Sequence, residues 1–297
     1  MRKPIFSIII PTYNRLNDLW RCLHLFTAVN YPKDNFEIII VDDGNERADR
    51  TIMHYQDKLN ITLIKSGGVG PAKARNKGAE TAKGIFLAFT DDDCTADRQW
   101  LKNLEKHLTE KPNCLIGGHT LNGIDNIYST ASQMLIDYLY NYYNEIAEYS
   151  KFITSNNFAI SANKFKQIGG FNEQFPLAAA EDREFCQRWI KHGYNIVYEK
   201  NAIIHHWHEL NFYTFCQQQF NYGRGAYSFQ NLQKPGRKIQ PRFFYIELLL
   251  YPLKIGGYKN MGIATLFLVS QIAVATGLIY QKFTSSRHPS PEQQPTT

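Results

Sequence analysis

The chain has 297 residues, of which 43% are hydrophobic and 14% aromatic, and its formal net charge is +6. This composition excludes a disordered protein and predicts one large core or two smaller ones. The basic residues form no dense tract, which argues against nucleic acid as a partner and favours an anionic lipid or a phosphorylated substrate.

The first ninety residues predict alternating strands and helices. Apolar runs of strand length lie at residues 6–10, 37–44, 61–64 and 85–90, and residues 17–29 carry apolar side chains at helical spacing. Strands separated by helical segments are typical of βαβ units. We therefore predict an α/β fold with a Rossmann-like, mainly parallel sheet flanked by helices.

Polar residues follow three of these strands at the point where each strand ends. They are Thr12 and Tyr13 after the first strand, Asp42 and Asp43 after the second, and Asp91, Asp92 and Asp93 after the fourth. Open α/β sheets bind ligands at this edge, and carboxylates suit Mg²⁺ or Mn²⁺ carrying a diphosphate. An isolated acidic triplet is more often a solvated turn, so the companion clusters are needed to favour a site.

A glycine-rich loop lies between the third and fourth predicted strands, at residues 67–78. Pro71 suits a first helical turn, which puts Arg75 one turn inside the helix and within reach of a phosphate or a base edge. The loop has no Gly-Lys-Ser/Thr ending, and no Gly-x-Gly-x-x-Gly turn follows the first strand, which disfavours a dinucleotide site. A surface salt bridge is the alternative role for Arg75.

Four motifs, in this order, resemble the family 2 glycosyltransferases of GT-A fold. They are Ser-Ile-Ile-Ile-Pro-Thr-Tyr-Asn-Arg at residues 7–15, Val-Asp-Asp-Gly at 41–44, Pro-Ala-Lys-Ala-Arg-Asn-Lys-Gly at 71–78 and Thr-Asp-Asp-Asp-Cys at 90–94. The resemblance extends over residues 7–208. It implies an inverting enzyme that uses a nucleotide-sugar donor and a divalent metal.

The resemblance also implies a role for each polar residue of these motifs. Donor contacts are assigned to Thr12, Tyr13, Arg15, Asp43, Arg75 and Asp91. Among them, Asp43 would accept from the base edge and Asp91 would contact the ribose, while Asp93 would hold Mn²⁺ or Mg²⁺ on the diphosphate. The chemistry agrees, because a base with N–H donors requires a carboxylate and a diphosphate leaving group requires a divalent cation.

A second acidic motif, Glu-Asp-Arg-Glu-Phe-Cys-Gln-Arg, begins a predicted helix at residues 181–188. Acidic residues at a helix start also complement the helix dipole, which is the structural alternative. The motif resembles the acidic helix start of the family, so Asp182 is predicted to be the general base for the acceptor hydroxyl and Glu181 to orient the acceptor. Asn157 resembles the asparagine of the family's acceptor-side strand.

Three histidines occur within four residues in Ala-Ile-Ile-His-His-Trp-His, residues 202–208. His206 alternates with Ile204, so it points to the same side of a strand. The family often completes its metal site with a histidine here, which makes His206 the first candidate and His208 the second. Imidazole beside carboxylate favours Mn²⁺. Packing against Trp207 or exposure to solvent is the alternative for each histidine.

The character of the chain changes after residue 210. Residues 212–225 predict a Gln-rich helix, residues 234–238 a break, and residues 243–253 an aromatic helix suited to a membrane interface. Residues 260–281 carry no charge and are long enough to cross about 30 Å of hydrocarbon, although a buried or re-entrant helix is the alternative. The tail at residues 285–297 is predicted to be disordered.

Several features predict a protein on the cytoplasmic face of a membrane with a single C-terminal transmembrane helix. More Lys and Arg residues precede residues 260–281 than follow them, which by the positive-inside rule leaves the large domain in the cytosol. The five cysteines form no Cys-x-x-Cys pair and the amino terminus has no signal-peptide core, which predicts a reducing compartment.

We therefore divide the chain into four parts. Residues 1–120 form a nucleotide-sugar-binding half, residues 121–232 the acceptor and catalytic half of the same domain, residues 233–284 interfacial and transmembrane helices, and residues 285–297 a tail. The predicted reaction is metal-dependent sugar transfer to a glycan or lipid-linked acceptor hydroxyl, in cell-surface glycan or glycolipid synthesis. A nucleotidyltransferase that makes nucleotide sugars and an inactive membrane-anchored sugar-binding protein are the alternatives.

Overall fold

The computed structural model describes residues 3–175, 177–232 and 240–287. The predicted break at residues 234–238 and the predicted tail from residue 288 lie outside these residues. The strands are β1 (Phe6–Thr12), β2 (Phe36–Asp42), β3 (Ile61–Lys65), β4 (Phe86–Thr90), β5 (Cys94–Ala96), β6 (Leu115–Asn122), β7 (Asn157–Ser161) and β8 (Ile196–His206). The helices are α1 (Leu16–Phe26), α2 (Ala48–Met53), α3 (Pro71–Thr81), α4 (Trp100–Glu110), α5 (Ile127–Tyr143), α6 (Ala162–Gln167), α7 (Glu181–Lys191), α8 (Phe212–Asn231), α9 (Arg242–Gly256) and α10 (Met261–Arg287).

Within the described residues, eight strands form one mixed sheet in the order β3-β2-β1-β4-β7-β6-β8-β5. β1 is parallel to β2 and β4, β2 is parallel to β3, and β6 is parallel to β8. β7 is antiparallel to both of its neighbours, and β5 is antiparallel to β8. The predicted α/β class with a mainly parallel sheet is confirmed, and the antiparallel strands are an addition to it.

The first strands are apolar on both sides because the sheet is covered on both faces. Ile8, Ile9 and Ile10 are all fully buried, as a strand between two layers of helices requires. α3 lies especially close to the sheet: a Cβ atom on Gly78 would come within 2.6 Å of Ile9 Cγ2 and 3.1 Å of Val41 Cγ2. Only glycine fits there without a shift of its neighbours.

Several predicted bounds differ from the structure. α1 ends at Phe26 rather than at residue 29. α8 continues to Asn231, beyond the predicted end at residue 225. α10 includes residues 285–287, which had been assigned to the tail.

The chain forms two compact units, which interleave in sequence. The larger unit contains the sheet. The smaller unit contains α8, α9 and α10 together with residues 125–138 and 177–181. α8 thus lies in the same compact unit as α9 and α10. The predicted functional division at residues 120, 232 and 284 stays a prediction.

α9 and most of α10 lie in the segment Arg242–Ser285, which is long and apolar enough, by length and composition, to cross a membrane. In the part of the chain that the structure describes, it is the one segment that meets this criterion. A long apolar C-terminal helix is therefore present, and its membrane role stays a prediction.

Candidate active site

The acidic triplet lies between two strands that pair with different neighbours. β4 ends at Thr90 and β5 begins at Cys94, directly after the triplet. Because β5 is antiparallel to the end of β8, Cys94 stands opposite His206. The backbone N–H of Trp207 also donates to the carbonyl oxygen of Asp93, at 2.7 Å. Strand pairing thus brings the predicted histidine to the predicted carboxylate.

Asp93, His206 and His208 form a cluster that could hold a metal ion. Their ligand atoms all lie within 4.8 Å of one another. Asp93 Oδ1 is 3.3 Å from His206 Nε2, and Asp93 Oδ2 is 3.5 Å from His208 Nδ1. One carboxylate and two imidazoles are a suitable donor set for Mn²⁺. Both candidate histidines of the sequence therefore converge on Asp93.

Thr12 and Arg15, predicted to contact the donor, hold the acidic triplet. The Thr12 hydroxyl donates to Asp92 Oδ2 at 2.7 Å. Arg15 Nη1 donates to Asp93 Oδ2 at 2.7 Å and to Asp92 Oδ1 at 3.4 Å. Asp92 therefore accepts hydrogen bonds from both Thr12 and Arg15. The direct contacts of Thr12 and Arg15 with a donor stay predictions.

The two adjacent carboxylates differ in pKa because their partners differ. Burial, with the neighbouring Asp93, raises the pKa of Asp92 to about 7, although Arg15 opposes this. Burial also tends to raise the pKa of Asp93, but His206, Arg15 and His208 together bring it below its usual range. Burial lowers the pKa of His208 to about 4. At neutral pH Asp93 is therefore ionised and His208 neutral, as metal ligands must be. Against the effect of burial, Asp93 raises the pKa of His206, so a metal bound there would displace a proton from His206.

Arg75 is buried and paired with the first carboxylate of the triplet. Its Nη2 donates to Asp91 Oδ1 at 2.7 Å, and the Arg75 side chain is 3% exposed against 27% for Asp91. The guanidinium group also lies 5.7 Å from the ring centre of Phe171, which is a cation–π contact. This burial rules out the surface salt bridge considered for Arg75 from the sequence.

Asn76 and Arg188 hold a turn with the sequence Ile-Gly-Gly-Phe, residues 168–171, which lies between α6 and α7. Neither Asn76 nor Arg188 was singled out from the sequence. Asn76 Nδ2 donates to the Phe171 carbonyl at 2.9 Å, and its Oδ1 accepts from the Phe171 N–H at 2.8 Å. Arg188 donates to the carbonyls of Ile168 and Gly170 at 2.5 and 2.8 Å. Asn76 belongs to the motif at residues 71–78 and Arg188 to the motif at residues 181–188. Their place in these motifs is the sequence signal that could have identified them.

Asp43 shapes the glycine-rich loop. Its Oδ1 accepts from the Ser66 hydroxyl at 2.6 Å and from the Val69 N–H at 2.8 Å, and its Oδ2 accepts from the Gly70 N–H at 2.8 Å. A carboxylate has about four acceptor positions, so capacity for one further donor remains. Tyr13, predicted to lie near the base, is 58% exposed. Both base contacts stay predictions.

Asp182 lies in the first turn of α7. Its Oδ1 accepts from the N–H of Arg183 at 2.7 Å. Burial raises the pKa of Asp182, while this hydrogen bond and the positive charge of Arg75 oppose the rise. A carboxyl group whose pKa moves toward neutrality is suited to accept a proton. Glu181, the first residue of the helix, is buried, and its role toward an acceptor stays a prediction.

Asn157, which resembles the asparagine of the family's acceptor-side strand, begins β7. Asn157 is fully buried, and its Nδ2 donates to the carbonyls of His119 and Ala202, both at 3.0 Å. Its Oδ1 accepts from Trp100 Nε1 at 2.9 Å. These bonds join β6, β7, β8 and α4 inside the sheet, so the side chain supports the fold rather than contacting an acceptor.

Comparison with known proteins gives two family matches. The sequence profile of Glycosyl transferase family 2 matches residues 7–169, more than half of the chain. A profile described as the N-terminal domain of galactosyltransferase matches residues 138–210. Together they include every predicted donor, metal and base residue.

Two curated relatives are glycosyltransferases. Glycosyltransferase AglE of Haloferax volcanii is 28% identical over 232 residues, which are 75% of this chain and 73% of AglE. Poly(ribitol-phosphate) beta-N-acetylglucosaminyltransferase TarS of Staphylococcus aureus is 31% identical over 108 residues, which are 35% of this chain and 19% of TarS. The match to TarS is thus a small part of that protein.

Solved structures share the fold. The mannosyltransferase PcManGT of Pyrobaculum calidifontis, in complex with GDP-Man and Mn²⁺, has a TM-score of 0.61 at 17% identity, covering 97% of this chain and 82% of that chain. Residues 1–349 of S. aureus TarS, in complex with UDP-GlcNAc, have a TM-score of 0.54 at 18% identity, covering 95% and 91%. The architecture is therefore GT-A-like.

Proposed function

Because this chain belongs to glycosyl transferase family 2 and is a nucleotide-sugar-dependent enzyme, we propose that it transfers a sugar from a nucleoside diphosphate to an acceptor hydroxyl in a metal-dependent reaction. The product would be a cell-surface glycan or glycolipid. The observation that carries this proposal is the cluster of Asp93, His206 and His208, which lies at the same sheet edge as the Arg75–Asp91 pair.

The proposed metal site is formed by three side chains of this chain. Asp93, His206 and His208 would hold Mn²⁺ or Mg²⁺, and the donor set favours Mn²⁺. When bound, a divalent ion neutralises the charge that develops on the departing diphosphate. Arg15 adds a second positive charge at this corner, since its guanidinium group is held on Asp93 and Asp92.

The donor's nucleoside would lie along the edge formed by β1, β2 and β4. Asp91 is partly exposed and oriented by buried Arg75, which supports its role at the ribose hydroxyls. Asp43 retains capacity for one base N–H, and the exposed ring of Tyr13 offers a stacking face. PcManGT is in complex with GDP-Man and TarS with UDP-GlcNAc, so the relatives support a nucleoside diphosphate sugar without selecting its base.

Asp182 would act as the general base. Its carboxylate accepts the proton of the acceptor hydroxyl while that oxygen forms a bond to the anomeric carbon. The bond from that carbon to the diphosphate breaks, and its electron pair leaves with the nucleoside diphosphate. Attack opposite the leaving group inverts the anomeric centre. Glu181 would orient the acceptor, which we propose to be a glycan or a lipid-linked sugar.

We further propose that the enzyme works at the cytoplasmic face of a membrane. The apolar segment Arg242–Ser285 supports an attachment to lipid, and nucleotide sugars are made in the cytosol. A lipid-linked acceptor would then be available at the surface to which the enzyme is bound.

A thermal-shift measurement tests the proposed site. UDP or GDP with Mn²⁺ is expected to raise the Tm of the full chain, because a ligand that binds only the folded state stabilises it. Asp93→Ala and His206→Ala should lose this stabilisation. His205→Ala is the matched control, since its side chain leaves β8 on the opposite face. No stabilisation of the wild type by any nucleoside diphosphate with Mn²⁺ would refute the proposal.

A turnover assay separates an enzyme from a sugar-binding protein. Purified full chain with Mn²⁺ is expected to hydrolyse or transfer from UDP- or GDP-sugars, and Asp182→Asn should remove this turnover. A protein that is stabilised by nucleoside diphosphates but has no turnover with any sugar donor would be a binding module instead.

A further inference from the structure

α10 has two opposite sides of different character. One side is buried and contains Ile263, Phe267, Ser270 and Gly277. The other is exposed, and we call its apolar residues Leu268, Ile272, Ile279 and Phe283 the outer stripe. Their side chains are 52 to 65% exposed. Their spacing puts these four residues on one side of a helix of 3.6 residues per turn.

The buried side of α10 is packed closely on α8. A Cβ atom on Gly223 would come within 2.0 Å of the Val274 carbonyl oxygen, and one on Gly277 within 2.0 Å of the Phe220 carbonyl oxygen. Glycines on both helices thus allow the two backbones to touch. Small residues at a helix crossing permit this close approach.

The contact between these helices continues toward the end of α10. Arg224 Nε donates to Gln281 Oε1 at 2.9 Å, and the Arg224 guanidinium group lies 5.5 Å from the ring centre of Tyr280. The middle of α8 is therefore fixed to two places on α10, one at the middle of α10 and one near its carboxyl end. The two helices must move, and enter any environment, together.

α8 is poorly suited to a hydrocarbon environment. It contains three consecutive glutamines, residues 217–219, as well as Arg224. Charged and amide side chains are unfavourable at the centre of a bilayer. If α10 crossed the membrane, its close packing would bring these groups of α8 to the same depth. An orientation that leaves α8 on the aqueous side avoids this cost.

The charge and the aromatic residues of this segment fit an anionic lipid surface. From Arg242 to Arg287 the sequence has five basic residues, namely Arg242, Lys254, Lys259, Lys282 and Arg287, and one acidic residue, Glu247. Tyr258 is 90% exposed and Tyr280 50% exposed. Basic residues attract anionic headgroups, and tyrosine is favoured at the level of the headgroups.

We propose that α10 lies in the plane of the membrane, with its outer stripe in the interface of an anionic bilayer and α8 on its aqueous side. This inference rests on the membrane attachment in the proposed function and replaces the spanning orientation expected from the sequence. Both ends of the chain then stay on the same side of the membrane. α10 by itself differs little in hydrophobicity from side to side, so the polar side of this arrangement is supplied by α8. An apolar side opposite a polar one is typical of elements that lie in an interface.

The location of the carboxyl terminus tests the orientation. The full chain with a C-terminal epitope is made in a bacterial host, and protease is added to intact spheroplasts and to lysed ones. We expect the epitope to be cleaved only after lysis, as an N-terminal epitope also should be. Cleavage of the C-terminal epitope in intact spheroplasts, with the N-terminal one protected, would show a spanning helix and overturn the proposal.

Vesicle binding tests the surface itself. The full chain should sediment with phosphatidylcholine vesicles that contain phosphatidylglycerol, and salt should weaken this binding because it screens the basic residues. Ile272→Glu is expected to weaken binding about tenfold or more, since it puts a charge into the outer stripe. Ile272→Leu keeps the stripe apolar, and Met53→Glu adds the same charge at an exposed position of α2. Both controls should bind as the wild type does.

Two results would contradict the lipid surface. Equal vesicle binding of Ile272→Glu and the wild type would exclude the outer stripe as the contact. A dimer that forms without lipid and dissociates in Ile272→Glu would identify a second copy of the chain as the occupant. The Mn²⁺-dependent Tm shift with UDP or GDP is measured on the same preparations, so a failure of the membrane inference is distinguished from a failure of the donor site.

Discussion

Asp93 and Asp182 are carboxylates whose surroundings change their pKa values in opposite directions. Burial acts on both, but His206, Arg15 and His208 outweigh it at Asp93 and lower the pKa there. At Asp182, burial prevails over the hydrogen bond from Arg183 and the charge of Arg75, and the pKa is raised. Two carboxylates whose pKa values differ in this way commonly have different roles in a site, one in binding positive charge and the other in proton transfer.

Replacement of Asp182 by asparagine tests its assignment as the base. Asp182→Asn keeps the shape of the side chain but cannot accept the proton, so kcat should fall by about 10² to 10⁴-fold. Binding of the nucleoside diphosphate, followed by the Mn²⁺-dependent Tm shift, should be retained. Asp57→Asn, at an exposed position, is the matched control. A variant at position 182 with near-normal kcat would remove Asp182 from the mechanism.

The raised pKa of Asp182 predicts the direction of two pH effects. A base works only when it is ionised, so kcat should rise with pH along a limb that lies above the usual range of an aspartate. The folded state holds this proton more tightly than the unfolded state. The stabilisation from Asp182 is therefore complete below the unfolded pKa and is lost as pH rises through the folded pKa.

Thermal unfolding of Asp182→Asn beside the wild type measures the second effect. The asparagine cannot ionise. As pH rises through the folded pKa of Asp182, the Tm of the wild type should therefore fall relative to the Tm of the variant. A difference in Tm that is constant over the acidic range would contradict the raised pKa.

At the scale of elements, the turn at residues 168–171 links α3 to α7. α3 holds it through Asn76, and α7 holds it through Arg188. Phe171, which ends the turn, lies against the guanidinium group of Arg75. The turn thus couples the position of Arg75, and through it Asp91, to the helix that contains Asp182.

Asn76→Ala should expose this coupling. The change removes both hydrogen bonds to the Phe171 backbone, which is expected to cost about 1–3 kcal/mol of folding stability. Since Phe171 supports Arg75, the KM for the donor should rise more than kcat falls, which marks Asn76 as a positioning residue. Glu80→Ala, at an exposed position of the same helix, should change neither value. An equal loss of stability with an unchanged KM would leave Asn76 a purely structural role.

The sequence predicted the strands that are marked by an apolar run of strand length. β1 to β4 were found in this way, and with them the sheet edge at which Thr12, Asp43 and the acidic triplet lie. β5 was not found, because a three-residue strand has no periodicity and forms only by pairing with β8. Its pairing is what brings His206 to Asp93, so the metal cluster needed a family resemblance to be predicted.

Tertiary packing explains other differences from the sequence prediction. Glycines usually weaken a helix, yet α8 continues through Gly223 and Gly225, because close packing on other backbone groups compensates for their low helix propensity. The three hydrogen bonds to Asp43 come from residues more than twenty positions later in the chain. No local pattern could have revealed them.

At the scale of the whole molecule, the proposed catalytic site and the proposed membrane attachment belong to different units. Every predicted donor, metal and base residue lies in the larger unit, while Glu181 and the helices α8, α9 and α10 belong to the smaller one. Changes in the packing of the smaller unit should therefore act first on its stability and its attachment to lipid, and only secondarily on donor binding.

Gly277→Val tests this separation. Its side chain would collide with the Phe220 carbonyl oxygen of α8, since even a Cβ atom lies only 2.0 Å from it. Overpacking of this kind is expected to cost about 1–3 kcal/mol and to lower the Tm of the chain. Ala275→Val puts the same valine side chain on the exposed side of α10 and should change the Tm little. Equal effects of the two variants would contradict the close packing of α8 on α10.

The pairing of β5 with β8 also has a consequence for the order in which the protein matures. Asp93 leaves the ribosome more than one hundred residues before His206 and His208. Contacts between such distant parts of a chain form late, because a long loop must close before they are gained. The emerging first half can assemble β1 to β4 but has no histidine partner for its carboxylate. The proposed capacity to bind metal would therefore be acquired at the end of sheet assembly, and in refolding it would mark the pairing of β5 with β8.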